Sequence, residues 1–276
     1  MTEEPRTIRV FPHRTKATPV DPLGFVGGPP LFHPEADEVH VSVTFDWDKP
    51  KGEQLAAEWG TWYDDVQLGG PAYSAVGPFE PGRYLRQGYT ITSRGCPNRC
   101  WFCDVRRRSP QMEELPVRDG WIVQDDNLLA CSDEHIHTVF GMLARQPHPI
   151  EFTGGLEAAL LKSWHVDLLM TLRLKQLFLA YDKAQDWEPL VRAVKLLYEA
   201  GLLRGHKARC FVLIGYPDDT FEKAQKRLQE VCQIGLFPFA MLYRDHTGKY
   251  DRGWRQFQRS WAAPAAIGAQ VKAATA

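Results

Sequence analysis

The sequence predicts an α/β protein whose main body is a partial (β/α)6 TIM-like barrel with a short N-terminal β-α-β extension. Two observations carry that expectation. From Tyr89 to Tyr243 strand-like apolar runs alternate with helix-like stretches, as a parallel sheet with crossover helices requires. The chain's 276 residues, 44 % hydrophobic and 24 % charged, also suffice for a large core without disulfide staples.

The elements follow in order. The stretch through Glu38 is rich in Pro and Gly (Val20 to Leu23, Gly27 to Pro30) and predicts an irregular arm. Val39 to Phe45 alternates β-branched with polar residues and reads as a strand; Gly52 to Trp59 follows as a helix and Asp65 to Leu68 as a strand that ends at Gly69-Gly70-Pro71. In the main body, strands are expected at Gly88–Thr92, Gly120–Gln124, Ile150–Thr153, Gln176–Ala180, Ala208–Ile214 and Phe239–Tyr243. Helices are expected at Asp133–Arg145, Leu156–Leu161, Val166–Thr171, Trp187–Ala200 and Thr220–Ile234, with Thr220 as an N-cap. The segments are thus 1–85 for the arm and extension, 86–245 for the barrel and 246–276 for a C-terminal helical segment with an Ala-rich tail that frays over Ala262–Ala276. In such folds chemistry sits where the loops after the strands converge.

Thirty-three basic against thirty-four acidic residues leave no global field to attract nucleic acid, so any such binding has to be local. The N-terminus lacks a basic and an apolar signal region, and no apolar run reaches membrane-span length; a cytoplasmic protein with no membrane partner is expected. Of six cysteines, Cys96, Cys100 and Cys103 are packed together while Cys131, Cys210 and Cys232 are scattered, a pattern of ligands more than of a disulfide framework.

The three close cysteines lie in Thr92-Ser-Arg-Gly-Cys96-Pro-Asn-Arg-Cys100-Trp-Phe-Cys103, directly after the first main-body strand. Three thiolates on one loop can hold three irons of a cubane and leave the fourth open, whereas electron-transfer clusters use four cysteines. The alternative is a zinc loop, which needs a fourth ligand; no paired Cys or His motif follows, although His135 or His137 stands within the chain as a single candidate.

This loop resembles that of the radical S-adenosylmethionine (SAM) superfamily, C-x3-C-x-aromatic-C, with Phe102 in the aromatic place. The resemblance covers about Tyr89 to Tyr243. It implies a [4Fe–4S] cluster on Cys96, Cys100 and Cys103, SAM chelated to the open iron, and reductive cleavage of SAM with an electron from an external donor such as flavodoxin or ferredoxin. It places Asp125, Asp126 and Asn127 where relatives receive the SAM amino group; an N-cap or turn cluster is the other reading of the same residues. Gly154, Gly155 and Glu157 after the third strand, Asp182 after the fourth and Gly215 in Gly-Tyr-Pro after the fifth would line the SAM or substrate pocket, Gly215 beside adenine. Tyr181-Asp-Lys183 departs from the Gly-Glu-Ser of relatives. The extension is similar to a shortened cobalamin-binding or methylthiotransferase N-terminal domain, but it lacks Asp-x-His-x-x-Gly, and no cobalamin is expected.

Cys131 is a candidate active-site thiol, with a buried structural cysteine as the alternative. Arg106 to Arg108 and the interleaved bases and aromatics from Tyr243 to Trp261 make nucleic acid a candidate partner; equally, Trp254, Phe257 and Trp261 fall on one face of a terminal helix that would close the barrel. The resulting expectation is a radical SAM enzyme acting on an unidentified substrate. Its alternative is a non-catalytic iron–sulfur binding or regulatory protein.

Overall fold

The computed structural model describes residues 5–73, 77–245, 247–263 and 267–268. The chain forms two compact units, Met1–Tyr89 and Thr90–Ala276.

In the first unit, strands β1 (Thr7–Phe11), β2 (Gly24–Val26) and β3 (Glu38–Ser42) precede helix α1 (Lys49–Trp59) and strand β4 (Val66–Gly69). They form one parallel sheet in the order β2-β1-β3-β4. The expected β-α-β is present as β3-α1-β4. The segment before it is not an irregular arm, because Ile8, Val10 and their neighbours add two further parallel strands. Short strands set among Pro and Gly give little periodicity, which is why they escape a sequence reading. Ile8, Val10, Val39, Val41, Val43, Leu55 and Trp59 are all buried to 0 % exposure and make this unit's own core. The Trp59 indole donates to the Gly27 carbonyl at 3.1 Å, so the glycine-rich turn is fastened to the helix end.

The second unit begins with β5 (Tyr89–Thr90), the short ladder of β6 (Ser93–Arg94) and β7 (Glu113–Glu114), and α2 (Val105–Arg108) between them. Then follow β8 (Ile122–Val123), α3 (Asp133–Ala144), β9 (Ile150–Phe152), α4 (Ser163–Met170), β10 (Leu174–Ala180), α5 (Trp187–Glu199), β11 (Ala208–Ile214), α6 (Phe221–Gln233), β12 (Phe237–Leu242) and α7 (Arg252–Ser260). The six-stranded sheet runs in sequential order, β5-β8-β9-β10-β11-β12. Pairings from β8 through β12 are parallel, with Val123 opposite Phe152, Leu179 opposite Cys210 and Val212 opposite Ala240.

Sequential order has a consequence. Right-handed crossovers that always step in one direction put their helices on one face of the sheet. Leu177, Leu179, Cys210, Val212 and Ile214 accordingly share one core with Leu190, Ala193 and Leu197 of α5 and Ala224, Leu228 and Val231 of α6. Helix starts are capped as local chemistry dictates: Ser132 accepts from the His135 N–H at 3.2 Å and Thr220 from the Lys223 N–H at 3.3 Å.

Three expectations need correction. The stretch Leu156–Leu161 is a turn, because Leu156 donates its N–H to the Phe178 carbonyl at 2.7 Å and so stays tied to the neighbouring strand. The first strand stops at Thr90, since Thr92 and Ser93 turn away to start the cysteine loop. The last strand starts at Phe237. The terminal helix is present as α7, while the tail expected to fray over Ala262–Ala276 lies, apart from 262–263 and 267–268, outside the described residues. No helix among the described residues is long and apolar enough to cross a membrane.

Leu177 sits at 0 % exposure in the middle of this core. Leu177→Ala should lower unfolding free energy by about 2–5 kcal/mol through lost transfer energy and the cavity left behind. Urea denaturation followed by circular dichroism measures it, with a reduced midpoint and an unchanged slope expected.

Candidate functional site

All loops that follow the parallel strands emerge at one edge of the sheet, and the cysteine loop lies there. It is a closed excursion. The β6–β7 ladder pairs Arg94 with Glu113 at its base, and the Leu115 N–H donates to the Thr92 carbonyl at 2.9 Å. Just inside the base stands Gly95, with φ of +90°. A Cβ on Gly95 would lie 1.8 Å from the Gln111 carbonyl oxygen, so the two limbs approach as closely as only glycine allows.

Two carboxylates hold that loop to the end of β8. Asp125, 2 % exposed, accepts from the Thr92 N–H at 2.6 Å, the Thr92 hydroxyl at 2.5 Å and the Ser93 hydroxyl at 3.0 Å. Burial pushes its carboxyl upward, and the donors from Thr92 and Ser93 pull against that shift. Asp126 accepts from the Gly95 N–H at 2.9 Å and from Arg94 at 3.2 Å. Both residues, expected beside the cofactor, have oxygens engaged by the loop itself and so position it.

Each loop cysteine meets one N–H donor. The Asn127 amide nitrogen lies 3.3 Å from Cys96 Sγ, and the Lys183 ammonium 3.6 Å from Cys100 Sγ. The Val105 backbone N–H faces Cys103 and pulls its pKa down, against the larger upward push of burial. Cys100 is also raised by burial first, with Lys183 opposing. Donors of this kind favour thiolate, the form that binds metal. The donors come from three places: the loop after β8, the loop after β10, and α2.

Asn127 does more. Its Nδ2 also donates to Glu157 at 2.6 Å, and Asn98 donates to the same carboxylate oxygen at 2.8 Å, which ties the third strand's loop to the cysteine loop. Its Oδ1 is buried without a hydrogen-bond partner, although the residue is only 4 % exposed. A buried orphaned acceptor, here beside the Cys96 sulfur, is costly unless a ligand supplies the donor.

The remaining expected residues fall as follows. A Cβ on Gly154 would lie 2.0 Å from the Asp125 carbonyl oxygen, so this glycine serves backbone packing between β8 and β9. Gly155, with φ of +95°, has no atom within 3.7 Å of where a Cβ would sit and needs glycine for its conformation alone. Gly215 is covered: a Cβ there would be 2.8 Å from the Trp254 indole. Phe102 packs edge-on against Trp101 with centroids 5.4 Å apart, and it is Trp101 that reaches Tyr216 and Tyr243, each at 5.7 Å. Asp182 accepts from the Leu213 N–H at 2.9 Å and braces β10 against β11.

Cys131 packs against the main core, and burial pushes its thiol up to about 11, with Asp125 and Glu114 adding to the rise and only the Ser93 hydroxyl opposing. No cation stands among the groups acting on it. Cys210 and Cys232 are buried at 0 % and 2 %. Among the described residues no three Cys, His, Asp or Glu side chains converge tightly enough for a single metal ion. Lys183, Asn98, Trp101 and Tyr216 were not singled out from sequence, because each contributes through a fold-level juxtaposition that spacing alone does not display.

The terminal aromatics are likewise engaged. Trp254 and Phe257 stack on Phe221 of α6 at 4.5 and 5.4 Å, and Trp261, 5 % exposed, donates to Gln225 at 3.2 Å. They pack α7 against α6 and the β12 side of the sheet. Compared with known protein families and with curated proteins, the chain matches none.

Two outcomes test this geometry. Asp125→Ala leaves three buried donors unpaired and should cost about 3 kcal/mol. Urea denaturation measures the loss. Asp182 is the second case: burial, with Asp186 adding to it against Lys183 and Arg227, pushes its carboxyl up to about 6. A raised folded-state value means the stability linked to this group is fully present below about pH 4 and is lost as pH rises through about 6, by up to about 3 kcal/mol. Asp182→Asn, which keeps the Leu213 contact, should remove that part of the pH dependence in urea titrations between pH 4 and 7.5.

Proposed function

We propose that the protein is a radical SAM enzyme, with a [4Fe–4S] cluster on Cys96, Cys100 and Cys103. One observation carries the reading: three thiols on one loop, two of them met by N–H donors from the loops after β8 and β10 and the third by the loop's own Val105 N–H, stand beside a buried amide oxygen that has no partner. Three ligands spread over one loop suit a cubane, which offers a separate iron to each sulfur, better than one tetrahedral ion. When bound, the cluster supplies one electron to SAM, giving methionine and the 5′-deoxyadenosyl radical.

The chain's own residues have distinct parts. Asp125, Asp126 and Gly95 fix the loop; Lys183 and Asn127 place donors on two of its sulfurs. Asn127 Oδ1 is the acceptor suited to the SAM ammonium, and the Asn127 amide is held in that orientation by Glu157. The shape of this region is therefore maintained by hydrogen bonds among the chain's own residues. Sequential strand order, which puts the crossover helices on one face, supports a partial barrel whose open face holds the substrate.

Anaerobic reconstitution with iron and sulfide, followed by dithionite and SAM, should release 5′-deoxyadenosine. Replacing any one of Cys96, Cys100 or Cys103 by Ala should abolish release and the cluster's visible absorption. Asn127→Leu should retain iron and weaken SAM binding about tenfold, in line with loss of one charge-assisted hydrogen bond. A fully loaded protein that never cleaves SAM would identify a non-catalytic iron–sulfur protein instead.

A further inference from the structure

The face of the second sheet that the helices do not cover carries an unusual cation. Arg209, second residue of β11, has its guanidinium carbon 5.2 Å above the Phe237 ring and 6.0 Å from that of Phe178. Its Nε is buried with no acceptor, and among the described residues no carboxylate pairs with it. Desolvation alone acts on its pKa, and lowers it, as expected of a cation that has lost water without gaining a counter-charge. By contrast, Arg94 and Arg227, two partly buried arginines of this unit, have the carboxylates of Asp126 and Asp219 at 3.2 and 2.8 Å.

Beside Arg209 on the same face runs an apolar floor. Phe178 and Phe211 stack with centroids 4.1 Å apart and planes at 5°, and Phe239 stands edge-on to both. Phe239 and Met241 remain 43 % and 41 % exposed, large apolar side chains open to solvent beside these rings. The register aligns Arg209 with Phe237, Phe211 with Phe239 and Leu213 with Met241. The floor therefore leads from the arginine toward the edge where the cysteine loop sits, over four residues or about 13 Å of strand.

We infer that this face binds an elongated small molecule with an apolar body and one terminal oxyanion, the anion on Arg209 and the body along Phe211, Phe239 and Met241. The far end of such a molecule lies toward the cysteine loop, so on the radical SAM reading, and resting on it to that extent, the molecule is the substrate. The chemistry of the site accounts for both halves. A guanidinium offers a planar fork to a carboxylate or a phosphate, and the surrounding rings exclude water and strengthen the pair. The apolar body then covers Phe239 and Met241, which otherwise stay hydrated.

Calorimetric titration of the full chain tests this without iron or SAM. The probes are 4-phenylbutyrate, its neutral counterpart 4-phenylbutanol, and the monophosphate ester of that alcohol. The acid or the phosphate ester should bind about tenfold or more tightly than the alcohol, and which of the two binds better identifies the headgroup. Arg209→Met, which keeps the stem's packing on Phe237, should bring acid and alcohol to equal affinity; Arg209→Lys should restore part of the preference. Phe239→Ala should weaken all probes together. Wild-type protein that binds the alcohol as well as both anions overturns the inference, whatever the variants do, and so does a folded Arg209→Met protein that keeps its preference for anions. The two proposals separate cleanly: anion binding without 5′-deoxyadenosine release removes the radical reading and leaves this site, whereas release with no anion preference removes the site alone.

Discussion

Asp125 is the constraint on which the candidate site depends. A carboxylate at 2 % exposure is tolerable only with its oxygens satisfied, and here the donors are the backbone and hydroxyl of Thr92 and the hydroxyl of Ser93. Those residues open the cysteine loop. The same interaction that neutralises the desolvation of Asp125 thus decides where Cys96 stands relative to β8. Gly154 adds to the constraint from the other side, since it lets the next loop lie directly on the Asp125 backbone, and no side chain fits between them. The loop is built onto the sheet, not hung from it.

The second organising fact is the order of strands. A sheet wound in one direction covers one face with helices and leaves the other to be filled by side chains or by a ligand. The helix side is a continuous apolar core from Val123 to Ile214. The other side holds Arg209 and the Phe178, Phe211 and Phe239 rings. The two faces thus differ in kind: one is closed packing, the other combines aromatic surface with an uncompensated charge.

Much of this was legible in the sequence, and the boundary between what was and was not has physical causes. β11 matches its expected bounds of Ala208–Ile214 because seven residues of alternating burial leave a long apolar signature. The helices from Trp187 and from Thr220 were visible for the same reason, through their amphipathic period. β1, β2, β6 and β7 were not, being two to five residues long and defined by the partner they meet. The glycines at 154 and 155 promised a turn followed by a helix, but the Leu156 N–H prefers the Phe178 carbonyl, an interaction that exists only once β10 is in place. At the site, the three cysteines were plain from spacing. The roles of Asp125 and Asp126 were not, because a sequence shows that two carboxylates end a strand without showing which donors face them. Lys183 was passed over for Asp182, its neighbour; only the fold shows that the lysine turns to Cys100 while the aspartate turns to Leu213.

The six cysteines illustrate how one residue type is given two fates. Burial raises the thiol pKa at Cys100, Cys103, Cys131, Cys210 and Cys232 alike. What differs is the opposing group. Cys100 has an ammonium and Cys103 a backbone N–H, set against neighbouring cysteines and one carboxylate each, Asp186 and Asp126, whereas Cys131 has a hydroxyl set against two carboxylates, and Cys232, pushed to about 11, has nothing. Cys210 goes further and donates its own S–H to the Phe211 carbonyl at 3.4 Å, as a protonated thiol does. Metal binding requires the thiolate, so a site can be marked out by where N–H donors are placed as much as by where sulfur is placed. In this protein those donors are gathered around one loop, and the other thiols are left to pack as small apolar side chains.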